Sequence, residues 1–129
     1  MLQIGILNPA VSSLLCRVRH TNTLVIADYA FPYWPQIETV DLALVRDIPT
    51  VLEVLRAIRG TFHAGKAYMA EEFHAANSDE IRDRFAKELA GIPLTLEPHL
   101  DFKKRVPHAI GLIRTGDTVP YGNIILESA

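Results

Sequence analysis

The sequence has a single cysteine, Cys16, among 129 residues, so no disulfide can form within the chain. No apolar run approaches the roughly 20 residues that a transmembrane helix needs, and the short apolar start at residues 1–7 lacks the leading positive charge of a signal peptide. Neither sign of charge is in large excess, because 13 basic and 15 acidic residues give a net charge of only −2. We therefore expect a cytoplasmic protein that binds neither membrane nor nucleic acid, since nucleic acid requires a basic face.

Motifs for cofactors and metals are incomplete. Residues 60–67 match the spacing of a phosphate loop, but Ala67 replaces the Ser or Thr that would hold magnesium. Glu71 and His74 form one Glu-x-x-His pair, whereas a di-iron bundle needs two such pairs and further carboxylates. We interpret these stretches as a helix end followed by a turn and as a polar segment before a helix. Neither a metal nor an organic cofactor is expected.

The pattern that is present is typical of a globular α/β domain. Hydrophobic residues make up 49% of the chain and charged residues 22%, and the length suits one domain over residues 1–129. Strand-like and helix-like segments alternate, which predicts a mostly parallel sheet flanked by helices. Helices are expected after Asn8, from Pro49 and after Ser78, and strands near residues 23–27, 40–44, 94–97, 109–113 and 123–126.

Polar candidates for chemistry lie at the ends of these segments. Ligands of parallel α/β sheets bind beyond the carboxyl ends of the strands, and Asp28 follows the first strand there. His20 precedes that strand, His99 follows the strand at 94–97, and Tyr121 and Asn123 begin the last strand. Taken singly, each also has an ordinary structural explanation, such as a turn cap or a half-buried aromatic. The residues alone therefore indicate only a soluble α/β domain.

Three ordered blocks of sequence add a family resemblance that spans nearly the whole chain. They lie at residues 7–28, 41–50 and 99–126, and include Arg19-His20-Thr21-Asn22, Asp41-Leu42-Ala43-Leu44, His99-Leu100-Asp101-Phe102-Lys103 and Pro120-Tyr121-Gly122-Asn123. In these blocks the sequence resembles the D-ribose pyranase and fucose mutarotase family. The resemblance implies an isomerase that interconverts the ring forms of a free monosaccharide without a cofactor.

The same resemblance implies roles for individual residues. His20 corresponds to the family's catalytic proton donor, and Asp28, His99, Tyr121 and Asn123 correspond to its sugar-binding positions. The family also implies a ring-shaped homo-oligomer, a decamer of two pentameric rings, with sites near subunit boundaries. These residue types suit the chemistry, because an imidazole can accept and donate protons near neutral pH and the other groups hydrogen-bond hydroxyls.

The substrate and the class of function stay open at this stage. The loop at residues 29–35 is bulkier than is typical of the ribose branch, and Phe31-Pro32 and Tyr121-Gly122-Asn123 resemble the fucose branch. The 41–50 stretch and His99 with Phe102-Lys103 resemble the ribose branch. Ribose is favoured, and fucose, another pentose or another deoxyhexose stays open. A non-catalytic sugar-binding or transport-associated module is the second class. The aromatic side chains of the loop are candidates to cover the apolar face of a sugar: Tyr29, Phe31, Tyr33 and Trp34. No candidate site residue is a permanent cation, so we expect a free sugar and not its phosphate ester.

Overall fold

A six-stranded sheet forms the centre of the protein in the computed structural model, which describes all 129 residues. The strands are β1 Thr23–Ala27, β2 Glu38–Asp41, β3 Ala64–Ala70, β4 Leu94–Glu97, β5 Gly111–Arg114 and β6 Ile124–Ser128. Their order across the sheet is β2-β5-β1-β6-β3-β4. All neighbouring pairs are parallel except those of β6, which runs antiparallel to both β1 and β3. The predicted α/β class with a mostly parallel sheet is confirmed.

Five helices connect the strands: α1 Pro9–Arg17, α2 Val51–Arg59, α3 Glu72–Ala76, α4 Asp79–Glu88 and α5 His99–Arg105, the last followed by a 3-10 turn at Val106–His108. The side chain of Asn8 accepts the N–H of Val11, and Pro9 occupies the first helical position, as the sequence predicts. Ser78 caps α4 in the same way. None of the helices has both the length and the apolar character that a bilayer crossing requires.

A hydrophobic core packs on each face of the sheet. The side chains of a strand alternate between the two faces, so one strand contributes to both cores. Leu24 and Ile26 of β1 join the larger core, which also contains Leu14, Leu55 and Phe85 from α1, α2 and α4. Val25 and Ala27 point to the smaller core on the opposite face. That smaller core contains Phe102 and Val106, and the partly buried Phe31, Trp34 and Ile37 pack against it.

Two elements depart from the sequence-based expectation. The second strand begins earlier, at Glu38, and the chain leaves the sheet after Asp41. Pro49 does not start α2, because Thr50 is the N-cap and forms a capping box with Glu53. The sequence patterns also gave no indication of β3, a strand between β6 and β4, or of α5.

A buried carboxylate joins α2 to the end of β5. Asp117 is only 2% exposed, and its two oxygens accept the backbone N–H groups of Val51, at the start of α2, and Val119. The backbone carbonyl of Asp117 accepts the N–H of Tyr29, the residue after Asp28. Asp117 therefore links the loop that follows β1 to the segment that leads into β6.

Candidate sugar site

The end of β1 and the start of β6 meet at one edge of the sheet. Because β6 runs antiparallel to β1, with Ile26 opposite Ile124, the residue before β6 lies beside the residue after β1. These two residues are Asn123 and Asp28. The side-chain oxygen of Asn123 accepts the backbone N–H of Asp28 at 2.7 Å, and Asn123 is 4% exposed.

His99 reaches the same edge from another direction. It is the first residue of α5, which begins two residues after β4 ends. Its ring is stacked with Phe102 and lies edge-on to Phe31 and Tyr121, with centroid distances of 6.1, 6.5 and 5.1 Å. Nδ1 is buried and has no hydrogen-bond partner, which leaves Nε2 as the ring nitrogen able to meet a ligand.

Tyr121 adopts an unusual backbone conformation at this edge. Its φ angle is 56°, in the left-handed region that favours glycine and asparagine. The next residue, Gly122, is buried, and a Cβ there would lie 3.1 Å from both Phe85 and Val119. The tight turn therefore depends on Gly122, and it carries the phenol of Tyr121 to the His99 ring.

A small cavity of about 150 Å³ opens between these groups. Four of the five residues predicted for the site line it, together with part of the loop after β1, and the lining residues are Asp28, Ala30, Phe31, Pro32, His99, Tyr121 and Asn123. No lysine or arginine is among them. The cavity thus combines a carboxylate, an amide, a phenol and an imidazole with one aromatic ring, a set suited to the hydroxyls and apolar face of a neutral polar ligand.

Burial shifts the pKa of two groups that line this cavity, Asp28 and His99. Desolvation raises the pKa of Asp28, while hydrogen bonds from Asn123 and from the backbone of Ala30 and Phe31 oppose the increase. Desolvation lowers the pKa of His99, and the nearby positive charge of Lys103 lowers it further. The imidazole is consequently biased toward its neutral form, in which it can exchange hydrogen bonds with a hydroxyl without carrying charge.

His20 is not part of this cavity. It lies in the exposed turn before β1, whereas Asp28 follows the end of that strand. The five residues of β1, at about 3.3 Å per residue step, separate the two edges of the sheet by about 13 Å. The side chain of His20 makes no hydrogen bond within the chain. Within this chain His20 therefore does not lie beside Asp28.

The aromatic loop contributes less to the cavity than its composition suggests. Phe31 alone of the four candidates lines it. Trp34 packs against the smaller core, and Tyr33 is 76% exposed. The hydroxyl of Tyr29 accepts a hydrogen bond from Arg46 at 2.7 Å.

The structure adds one supporting residue that the sequence did not single out. Both carboxylate oxygens of Glu72 accept the backbone N–H of His99 at 3.0 Å. The pattern of residues 71–74 indicated only a polar stretch, and the contact joins residues 27 positions apart, so no local signal marks it. Within the whole chain, no three side chains of histidine, cysteine, aspartate or glutamate cluster as metal ligands would.

These features define a small α/β domain with a polar cavity, free of lysine and arginine, at the carboxyl edge of its sheet. The chain belongs to the RbsD / FucU transport protein family, whose model matches residues 1–129. A D-ribose pyranase of Geobacillus kaustophilus (strain HTA426) is 37% identical over 99% of this chain and 93% of its own length. A D-ribose pyranase of Clostridium tetani (strain Massachusetts / E88) is 32% identical over 99% and 97%.

Solved structures give the same relationship. Bacillus subtilis RbsD, in complex with D-ribose, matches with a TM-score of 0.93 and 28% identity over 100% of this chain and 98% of its own. The fucose mutarotase of Streptococcus pneumoniae, in complex with L-fucose, matches with a TM-score of 0.84 over 100% and 98%. Its identity is 19%, so this second likeness concerns the fold alone.

Proposed function

We propose that the protein is an isomerase that interconverts the pyranose and furanose forms, and the anomers, of a free monosaccharide, with D-ribose as the first candidate. The observation that carries the proposal is the cavity that gathers Asp28, His99, Tyr121 and Asn123 in a chain whose relatives are D-ribose pyranases. The lining offers hydrogen-bond partners for hydroxyls and no cation for a phosphate. A free sugar fits this chemistry better than a phosphorylated one.

Interconversion of ring forms requires two proton transfers and no redox step. The anomeric hydroxyl loses its proton, the bond between the anomeric carbon and the ring oxygen breaks, and the ring oxygen gains a proton. The open-chain aldehyde then closes through a hydroxyl. Asp28, Asn123, Tyr121 and the neutral imidazole of His99 hold the sugar hydroxyls. His20 gives its proton to the ring oxygen and then takes the proton that the anomeric hydroxyl loses, so the imidazole returns to its starting state.

His20 can take this role only from another subunit, since it lies at the opposite edge of the sheet from the cavity. We propose that the protein forms a ring-shaped homo-oligomer, a decamer of two pentamers, in which His20 of the partner subunit completes each cavity. Two observations support the arrangement: the cavity opens to solvent in one subunit, and His20 is exposed without a hydrogen bond in its own chain. Closed rings arise from such head-to-tail contacts.

A mixing experiment tests whether the site is shared. His20→Gln and Asp28→Asn subunits are each expected to be inactive alone, because every cavity then lacks one group. After unfolding and refolding together in equal amounts, about a quarter of the cavities combine an intact His20 with an intact Asp28, and activity returns to about that fraction. Absence of recovery in mixed rings of native size contradicts sharing between subunits. A stable monomer at micromolar concentration in sedimentation contradicts the oligomer itself.

The activity is tested by measuring sugar ring exchange with NMR, with and without the protein. We expect faster exchange between the ring forms of D-ribose, and a smaller effect or none on L-fucose. The same panel tests the fucose-type alternative suggested by the bulky loop at residues 29–35. Binding of ribose with no acceleration of exchange supports a sugar-binding or transport-associated module instead, and contradicts catalysis.

We propose a cytoplasmic location, which the single free and exposed Cys16 suits.

A further inference from the structure

The helix that carries His99 has no cap of its own. Its N-cap residue is Pro98, which has no side chain able to accept a hydrogen bond. The first free N–H of α5, that of His99, is instead accepted by both carboxylate oxygens of Glu72 at 3.0 Å. A carboxylate at a helix N-terminus also interacts favourably with the helix dipole. Glu72 therefore performs for α5 the capping that a local side chain performs for α1, α2 and α4.

Glu72 is itself held in a fixed frame. It is the first residue of α3, which follows β3 after one residue, and β3 pairs with β4 up to Ala70 opposite Glu97. The backbone N–H of Glu71 donates to the carbonyl of Glu97 at 2.8 Å. Phe73, the next residue along, is buried against Phe85 with ring centroids 4.7 Å apart. The segment that carries this carboxylate is thus anchored to the sheet and to the larger core.

The contact with Glu72 is the one hydrogen bond that a side chain makes to His99. Its ring makes no hydrogen bond within the chain, and its Nδ1 is buried without a partner. The aromatic rings around it constrain the imidazole by packing alone. The backbone bond to Glu72 is the directional contact that sets where α5 begins, and so where Nε2 lies relative to the cavity.

We propose that Glu72 is a positioning residue that places His99 in the sugar cavity by capping α5, without touching the sugar. Its effect on sugar binding rests on the proposed function, whereas its effect on His99 does not. Glu72 does not line the cavity, so loss of its side chain changes binding only through His99.

The electrostatic consequence gives a separate readout. Four charged or titratable groups face His99: Lys103 from α5, Glu72 from α3, Asp28 after β1 and Tyr121 before β6. The negative charge of Glu72 raises the pKa of His99 and so opposes the effects of burial and Lys103. Removing that charge lowers the pKa of His99 further as long as the imidazole stays buried.

Two substitutions separate geometry from charge. Glu72→Ala removes the acceptor, and we expect about a tenfold weaker Kd for ribose, together with a lower His99 pKa in an NMR titration of the ring protons. Glu72→Gln keeps an oxygen that accepts the N–H of His99 but loses the charge. We expect ribose affinity within about threefold of wild type, again with a lowered His99 pKa.

Two control variants match these changes. Glu71→Ala removes the neighbouring carboxylate, which is exposed and makes no side-chain hydrogen bond. Glu53→Ala removes the capping carboxylate of α2, a helix that carries no cavity residue. Both are expected to leave ribose affinity and the His99 titration as in wild type.

The outcomes distinguish this inference from the proposed function. Wild-type affinity in folded Glu72→Ala, or a loss of thermal stability with an unchanged His99 titration, overturns the positioning role. If wild-type protein does not bind ribose, the proposed function fails, and NMR contacts between the ring protons of His99 and Tyr121 decide the role of Glu72, because unchanged contacts in Glu72→Ala overturn it. If Glu72→Ala does not fold, Glu72→Asp takes its place, since it keeps the charge and withdraws the acceptor by one methylene group. Wild-type affinity with unchanged ring contacts in Glu72→Asp overturns the proposal.

Discussion

The side-chain oxygen of Asn123 accepts a hydrogen bond from the backbone N–H of Asp28, across 95 positions of sequence. A hydrogen bond from the same side chain is also the largest of the effects that oppose the rise in the pKa of Asp28 caused by burial. One amide therefore orients both the backbone and the carboxylate of Asp28. The cavity depends on this pair because the hydrogen bond joins two of the three segments that supply polar groups to the cavity.

Replacing Asn123 with aspartate tests the pair with little change in shape. Asn123→Asp retains an oxygen that accepts the N–H of Asp28, but it loses the donor and places a second negative charge beside the first. We expect ribose affinity to fall about tenfold or more at pH 7, with part of the loss recovered at pH 5 as one carboxyl takes a proton. Ribose titrations at both pH values measure this. An equal loss at the two pH values contradicts the role of charge.

His20→Gln is expected to reduce ring exchange by about 10²–10⁴-fold, the usual contribution of a general acid or base. The melting temperature should stay as in wild type, because His20 is exposed and its side chain makes no hydrogen bond in its own chain. His63→Gln is the matched control, since His63 is also exposed and precedes β3 at the same edge of the sheet. Unchanged NMR exchange rates in folded His20→Gln would remove His20 from the mechanism.

A sugar phosphate is expected not to bind. Asp28 repels a dianion, and no lysine or arginine lines the cavity. Arg114 at the end of β5 is already held by both oxygens of Asp41 and by the carbonyl of Tyr29. Titration of D-ribose and ribose 5-phosphate with ligand-observed NMR compares the two directly. Preference for the ester would show that an unrecognised cation faces the cavity, and would contradict the proposed substrate class.

The carboxylate of Asp28 is expected to cost stability at neutral pH. Because its folded pKa is raised, its favourable contribution is complete below the ordinary aspartate value, at about pH 4, and is lost as the pH rises through the folded value. Asp28→Asn should therefore be more stable than wild type at pH 7, with the difference disappearing near pH 3, while ribose binding is weakened. Urea denaturation across this pH range measures the effect. Asp83→Asn, at an exposed residue without hydrogen bonds, serves as the control.

Removal of the buried carboxylate of Asp117 is expected to lower the stability of the protein, whereas Asp28→Asn is expected to raise it. Asp117→Ala leaves the N–H groups of Val51 and Val119 without their acceptors, and we expect a loss of about 2–5 kcal/mol in the free energy of unfolding. Glu53→Ala removes an exposed capping carboxylate from the same helix and should cost about 1 kcal/mol. Urea denaturation measures the free energy of unfolding of both variants. An equal loss in Asp117→Ala and Glu53→Ala would contradict the idea that burial makes the Asp117 carboxylate the more important acceptor.

The sequence predicts the part of the site that depends on local rules. Asp28 follows a run of four buried residues, Leu24–Ala27, and the rule that ligands bind beyond parallel strands places it correctly at the cavity. The caps of α1 and α4 are likewise local, because Asn8 and Ser78 act on residues three positions away. Such features need no knowledge of the rest of the chain.

The remaining features depend on contacts between distant segments. The interior strand β3 has the sequence AGKAYMA, in which alanine, glycine and lysine favour other structures, and it is stabilised by pairing with β4 and β6. Helix α5 has only seven residues and takes its cap from Glu72, 27 positions away, so the sequence around α5 contains no capping residue that would indicate a helix. The distance of His20 from the cavity follows from the length of β1, which the family resemblance did not address.

The left-handed backbone of Tyr121 has a consequence for how the protein evolves. A tyrosine in this conformation costs about 1–2 kcal/mol that glycine would not incur, so Tyr121 opposes folding while its ring lines the cavity. In populations selected only for heat resistance, we expect glycine or asparagine to replace tyrosine at this position. In populations selected for growth on the sugar, we expect the aromatic ring to be kept.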